Sequence, residues 1–130
     1  MTGGPGRPAG AGLDRGFYVR PTVFADVDNG MRIAQEEIFG PVVVVIPHDG
    51  DEDAVRIAND SPYGLGGGVW TADRERGLAV ARAVRTGTFS VNGAARSISA
   101  PFGGVKGSGI GREYGPVGLG AFTEYKSIGV

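Results

Sequence analysis

An uninterrupted aliphatic run is the feature that most constrains the fold of this chain. Residues 42–46 are all β-branched and lie between Pro41 and Pro47. A run of this kind is typical of a strand that is covered on both faces, as in parallel sheets. Glu37 and Phe39 come just before it, and groups at the ends of such strands commonly bind ligands in open α/β sheets. The sequence therefore predicts a central parallel strand with an acid and an aromatic ring at its start.

Helical and strand patterns alternate after this run. Residues 54–59 and 73–85 have apolar positions at helical spacing, whereas residues 69–71 and 88–92 have strand character. Strand, helix, strand, helix, strand at this spacing predicts two successive crossover units, which build a parallel sheet with right-handed connections. The predicted fold class is therefore α/β, with a partial parallel sheet and crossover helices.

The flanking segments are predicted to be short or irregular. Residues 1–16 are rich in Gly and Pro without apolar periodicity, which predicts a flexible lead-in. Pro21 limits residues 17–27 to an edge or broken strand. The other predictions are a short helix at 29–38 capped by Asn29, a Gly-rich loop at 93–115 that begins the C-terminal part, a helix at 117–122 and a final strand at 123–130. The predicted division is a lead-in at 1–16, a partial domain at 17–122 and a terminal strand at 123–130.

Composition excludes several function classes. The 13 Lys and Arg residues nearly balance the 14 Asp and Glu residues, so we expect no nucleic-acid partner. No Cys is present, which excludes disulfides, thiolate metal sites and a cysteine nucleophile within this chain. No stretch predicts a membrane span or a signal peptide, so we expect a cytoplasmic protein without a membrane partner. We assign no catalytic residue and no metal ligand to this chain.

Three polar features receive structural interpretations. Asp49, Asp51, Asp53 and Asp60 have calcium-loop spacing, but the position that needs Gly is Ala54, so acids at a helix start are the preferred interpretation.

Residues 102–112 resemble a phosphate cradle, yet Lys106 does not have P-loop spacing, and tight backbone turns are preferred. His48, the sole histidine, is predicted to lie on the surface.

Glu37 and Phe39 leave two interpretations open. A carboxylate can accept both hydroxyl donors of a ribose diol, and an aromatic ring two residues away can pack on a flat ligand ring. The alternative from the pattern alone is an acid at a helix end and a Phe in the core.

Several motifs, in order along nearly the whole chain, resemble the aldehyde dehydrogenase family. Residues 36–42 look like its glutamate and phenylalanine signature, and residues 101–109 look like its late Gly-rich loop. Matching segments also occur at 2–4, 13–24, Asn59, 63–65, 89–92 and 118–126.

The resemblance implies oxidation of an aldehyde to a carboxylic acid with NAD or NADP. In that family a cysteine thiolate attacks the carbonyl, hydride passes to the nicotinamide, and a glutamate-activated water hydrolyses the thioester. It further implies that Glu37 binds the nicotinamide-side ribose, that Phe39 and Leu65 pack near the nicotinamide, and that Phe102 lines the aldehyde entrance.

Residues 93–100 fall where the family varies its substrate pocket. This position implies that Ser97 and Ile98 face the substrate, together with Arg96 and Ser99.

One departure from the family is large. Its nucleophilic Cys, base Glu, oxyanion-stabilising Asn and dinucleotide-binding domain precede the segment that matches this sequence. We therefore expect this chain to be the C-terminal piece of a longer oxidoreductase, inactive alone.

The resemblance also implies that residues 123–130 pair with a neighbouring subunit, giving a homo-oligomer or association with a family subunit. Pairing within the chain is the alternative. A non-catalytic assembly partner and a relic without function remain as further hypotheses.

Overall fold

The computed structural model describes residues 2–13 and 15–130, and it contains four short strands and four α-helices in that part of the chain. In chain order they are β1 (Thr22–Phe24), α1 (Arg32–Gln35), β2 (Val42–Val44), α2 (Gly50–Asn59), β3 (Gly66–Val69), α3 (Arg74–Ala83), β4 (Thr88–Val91) and α4 (Gly115–Leu119), with 3-10 turns at Lys106–Ser108 and Gly120–Phe122. The chain divides into two compact units, Met1–Asp49 and Gly50–Val130. The α/β class predicted from the sequence is confirmed.

In the first unit, β1 and β2 form a parallel pair in which Val23 lies beside Val43. Thr2 adds an antiparallel bridge to Val23, with both N···O distances 2.9 Å, and the Gly4 amide donates to the buried Thr22 hydroxyl at 3.1 Å. The start of the predicted flexible lead-in is therefore anchored to β1. Met1 and Asp14, which belong to the same predicted lead-in, lie outside the described residues.

Two predictions for this unit are wrong in detail. The helix predicted at 29–38 is limited to α1, and its N-cap is Met31 rather than Asn29, without a side-chain cap. The central strand was predicted to be covered on both faces, but the Val43 side chain is 58% exposed. A parallel strand needs packed layers on both faces to bury its aliphatic residues. The described residues of this unit do not supply both layers for β2.

In the second unit, β3, α3 and β4 form one of the two predicted parallel crossovers. The prediction that both crossovers build one sheet is wrong, because β2 pairs with β1 in one two-stranded sheet and β3 pairs with β4 in another. The strand expected at 69–71 instead occupies Gly66–Val69. A Cβ atom added at Gly67 would lie 2.7 Å from the ring of Phe89. The glycines therefore allow β4 side chains to lean over β3, which is the ordinary reason for Gly within a strand.

Polar side chains fix the ends of these elements. Asp73 caps α3 by accepting from the Glu75 and Arg76 amides, as predicted from its position. Asn59 joins the ends of two helices, because it donates to Ala83 O at 2.9 Å and accepts from the Arg85 amide at 2.7 Å. Helix α3 ends at its C-cap Val84, before Gly87.

The first turn of helix α2 contains Asp51, Glu52 and Asp53. Their negative charges interact favourably with the positive end of the helix dipole. Arg76 donates from Nε and Nη2 to the two carboxylate oxygens of Asp51, each at 2.6 Å, and this hydrogen bonding is the main reason that the pKa of Arg76 is raised. The acids of this segment therefore stabilise the N-terminus of α2, and Asp51 also forms an ion pair with Arg76. Within residues 2–13 and 15–130 no group of His, Cys, Asp or Glu has an arrangement for a metal ion.

Residues 123–130 carry no strand. All eight are exposed, and Tyr125 and Ile128 have 95% and 75% of their surfaces accessible. The predicted terminal strand is therefore absent from the isolated chain, because a strand exists only when a neighbour satisfies its backbone groups. No helix in the described residues has both the length and the apolar character needed to span a membrane.

Candidate functional site

An open cleft of about 900 Å³ lies in the second unit. The residues around it include Phe89, Arg96, Ser97, Ile98, Phe102 and Tyr114. Its lining is mainly apolar with a few polar groups, which is the usual composition of a small-molecule site. The structure thus brings together four of the residues predicted to face or admit substrate, Arg96, Ser97, Ile98 and Phe102. Their role in substrate binding stays a prediction.

Phe102 is at the centre of an aromatic and cationic stack. The Arg96 guanidinium carbon lies 5.1 Å from the centroid of the Phe102 ring, within the range of a cation–π contact. The Tyr114 ring packs on Phe102 with a centroid distance of 6.1 Å and an interplanar angle of 40°. Backbone hydrogen bonds of 2.8 and 2.7 Å to Glu113 hold Phe102 in place.

A tight turn positions Ser97 and Ile98. The Ser99 amide donates to Ser97 Oγ at 3.1 Å, and the Ala100 amide donates to Ser97 O at 3.1 Å. These bonds leave the Ile98 side chain 83% exposed on the cleft. Ser99, which was also predicted to face substrate, is not among the residues that line the cleft.

The Gly-rich loop that follows Phe102 is bound to the segment before β3. The Lys106 ammonium donates to Asn59 O at 2.7 Å and to Ser61 O at 3.0 Å. The Gly107 amide donates to Pro62 O at 2.8 Å, and Ser108 Oγ accepts from the Gly64 amide at 3.1 Å. These contacts favour the prediction of tight backbone turns and not that of a phosphate cradle, because the Lys106 ammonium already donates to backbone carbonyls.

Lys106→Met is expected to lower the free energy of unfolding by about 1–2 kcal/mol, because two partly buried carbonyls lose a charged donor. Met retains the unbranched stem of lysine, so cavity formation contributes little. Urea denaturation measures the change. Lys126→Met, at an exposed lysine in residues 123–130, is the control, and an equal loss in both variants would contradict the role of these two hydrogen bonds.

Leu65 comes immediately before β3, and its carbonyl accepts from the amide and the hydroxyl of Thr88, both at 3.1 Å. The Leu65 side chain is 46% exposed. It is thus fixed through its backbone and open to a ligand through its side chain.

Glu37 and Phe39 lie in the first unit, in the connection between α1 and β2. Helix α1 ends at Gln35, and the Phe39 ring is 98% exposed. The alternative of a core Phe is therefore wrong for Phe39, whereas Glu37 directly follows the C-cap of α1 at Glu36, as the alternative of a helix-end acid expects. Hydrogen bonds from Gly40 N to Ile38 O at 2.7 Å and from Val42 N to Gly40 O at 2.8 Å fix the turn into the strand.

Sequence analysis did not identify Phe89 and Tyr114 as site residues. Phe89 was assigned only to a strand, and Tyr114 has a φ angle of 63° in a loop without regular pattern. No sequence signal connects Tyr114 with Phe102, because their contact depends on the bridge between Phe102 and Glu113.

Comparisons with known proteins agree with the motifs. Residues 1–128 match the aldehyde dehydrogenase family. Geranial dehydrogenase of Castellaniella defragrans is 57% identical over 115 residues, which make up 88% of this chain and 24% of that protein.

Two solved structures are similar in fold as well as sequence. The Mycobacterium tuberculosis aldehyde dehydrogenase complexed with NAD+ has 59% identity and a TM-score of 0.86, covering 92% of this chain and 24% of that one. A mutant of Pseudomonas syringae aldehyde dehydrogenase C complexed with NAD+ and octanal has 52% identity and a TM-score of 0.84, covering 90% and 24%.

This chain thus spans about a quarter of the length of these relatives. The match to the family nevertheless extends over almost all of its residues. The chain belongs to the aldehyde dehydrogenase family.

Proposed function

We propose that this chain is the C-terminal part of an NAD(P)-dependent enzyme that oxidises aldehydes to carboxylic acids. The observation that carries the proposal is the cleft, which is lined by Ser97, Ile98 and Phe102, the residues that the family resemblance implies for the substrate pocket. The identity of 59% to a structure complexed with NAD+ supports the choice of coenzyme.

Three side chains of this chain have the chemistry and exposure to hold the coenzyme. The Glu37 carboxylate accepts two hydroxyl groups of a ribose, and the exposed Phe39 ring offers an apolar face to the nicotinamide. Leu65 supplies a further apolar contact. When bound, NAD(P)+ supplies the acceptor for the hydride of the aldehyde. Phe102 and Ile98 hold the carbon chain of the substrate and exclude water from it.

The nucleophile must come from another segment, because the 130 residues include no Cys. Pure chain is therefore expected to form no NADH from an aldehyde. Coexpression with the Cys-bearing N-terminal part of a family enzyme is expected to restore aldehyde-dependent NADH formation, which a thiol reagent abolishes.

NADH formation by the pure chain that no thiol reagent abolishes would overturn the proposal. The same holds if the coexpressed pair copurifies but forms no NADH from an aldehyde. A non-catalytic role in assembly is the second candidate, favoured by residues 123–130, which are exposed and carry no strand. Copurification with an intact family enzyme without restored activity would support that second candidate.

A further inference from the structure

We infer that the cleft recognises aldehydes that carry a carboxylate at the end remote from the aldehyde group, with Arg96 as the specificity-determining residue. This inference rests on the proposed function for the aldehyde itself. The observations behind it are the charge of the cleft, the stacking of Arg96 on Phe102 and the free hydroxyl donor of Ser97.

Charge is the first observation. Among the described residues that line the cleft, Arg96 alone has a formal charge. The ion pairs of the described residues involve other arginines, so among residues 2–13 and 15–130 no carboxylate pairs with Arg96. The other arginine of the Gly-rich loop at 93–115, Arg112, has acceptors within the chain, because it donates to the carbonyls of Gly104 and Gly111. The cleft thus has one cation without an anionic partner in the described chain.

Geometry is the second observation. The Arg96 guanidinium carbon lies over the Phe102 ring, 5.1 Å from its centroid, and a cation–π contact leaves the N–H groups that do not point at the ring available as donors. An arginine held over an aromatic ring can therefore still donate two parallel hydrogen bonds to a carboxylate. The Phe102 ring is itself held by Glu113 and Tyr114. This support reduces the freedom that Arg96 loses when it binds an anion.

A second donor lies one residue away. Ser97 Oγ already accepts from the Ser99 amide at 3.1 Å, so its hydroxyl proton is the part left to bind a ligand. Arg96 and Ser97 line the same cleft as the apolar side chains of Ile98 and Phe102. The combination suits a ligand with an aliphatic chain and a terminal carboxylate.

Binding of two unreactive probes to the full chain tests the inference. Hexanoate and hexanamide have the same chain length and nearly the same shape, but only hexanoate is charged. Titration followed by nitrogen-labelled NMR is expected to give about tenfold tighter binding of hexanoate at low salt, with shifts at residues 96–98, and a smaller difference at high salt.

Variants test whether the preference for hexanoate over hexanamide depends on Arg96. Arg96→Gln is expected to remove this preference, and Arg96→Lys is expected to reduce it, because lysine keeps the charge but not the paired donors. Arg82→Gln is the control, since it removes one exposed positive charge from α3 outside the cleft and is expected to keep the preference. The amide spectrum of each variant verifies that it is folded.

Equal affinity for both probes, persistence of the preference in Arg96→Gln, or binding of neither probe would overturn the inference. The proposed function is measured separately by NADH formation in the coexpressed pair. Turnover without a carboxylate preference would contradict the substrate class alone, whereas a preference without turnover would contradict the dehydrogenase role alone.

Discussion

Gly87→Ala is expected to lower the free energy of unfolding by about 2–3 kcal/mol, within the range for overpacking a site that cannot relax. A Cβ atom at this position would collide with the carbonyl oxygen of Gly103 and would lie 3.0 Å from Gly104 Cα. Both neighbours are backbone atoms, so no side-chain rotation relieves the clash. The Gly87 amide also donates to Gly64 O at 3.0 Å, and movement of residue 87 would strain that bond as well.

Urea denaturation of both proteins measures this loss through the midpoint, at an unchanged slope. Gly111→Ala is the matched control, because no heavy atom lies within 4 Å of its added Cβ and its φ is not in the left-handed region. The control is expected to leave stability nearly unchanged. Similar losses in both variants would contradict the steric explanation. The Gly87 variant should also disturb the cleft, which Gly87 lines together with Phe102.

Glu37→Gln is expected to weaken coenzyme affinity about tenfold in the coexpressed, active pair. The amide keeps the size of the carboxylate but loses its charge, and hydrogen bonds to charged groups exceed neutral ones by roughly 1–1.5 kcal/mol. A difference of about 1.4 kcal/mol is a factor of ten in a dissociation constant. The effect is expected in the KM for the coenzyme, with a smaller effect in the KM for the aldehyde.

Glu36→Gln provides the control for this variant. Glu36 is the adjacent exposed acid, and its carboxylate pairs with Arg32 at 2.8 Å. Removing that charge is expected to leave the coenzyme KM unchanged, because exposed ion pairs contribute little. An equal rise in both variants would indicate a general charge effect, and no rise in Glu37→Gln would remove Glu37 from the coenzyme site.

The parts of the fold that depend on local patterning were predicted well from the sequence. Helix α3 follows from its apolar spacing and from Asp73 as its N-cap, and β4 follows from its β-branched and aromatic residues. These features are decided by residues close together along the chain. The predicted crossover from β3 to β4 was also confirmed, although the pairing of its two strands joins residues on either side of α3.

The wrong predictions concern segments whose structure is decided by pairing or packing with residues distant in the sequence. The strand was predicted at 69–71, yet the glycines before Val69 form β3, because only glycine leaves room for the side chains of β4. The N-terminal residues were predicted to be flexible, but Thr2 pairs with Val23 across the intervening loop. Neither contact has a signature within a short window of sequence.

For the candidate site, likewise, the sequence identified residues, whereas the structure showed their contacts. Motif resemblance identified Glu37, Leu65, Phe102, Ser97 and Ile98, and it does not depend on coordinates. The sequence by itself determined the chemical types available, including the absence of any cysteine nucleophile. Only the tertiary structure decided that Arg96 stacks on Phe102, that Tyr114 packs behind it and that Lys106 holds the loop to residues 59–61. The Lys106 bonds join residues far apart in the chain, whereas the contacts of Phe102 with Arg96 and Tyr114 depend on how one irregular loop folds back on itself. No short sequence pattern specifies either kind of contact.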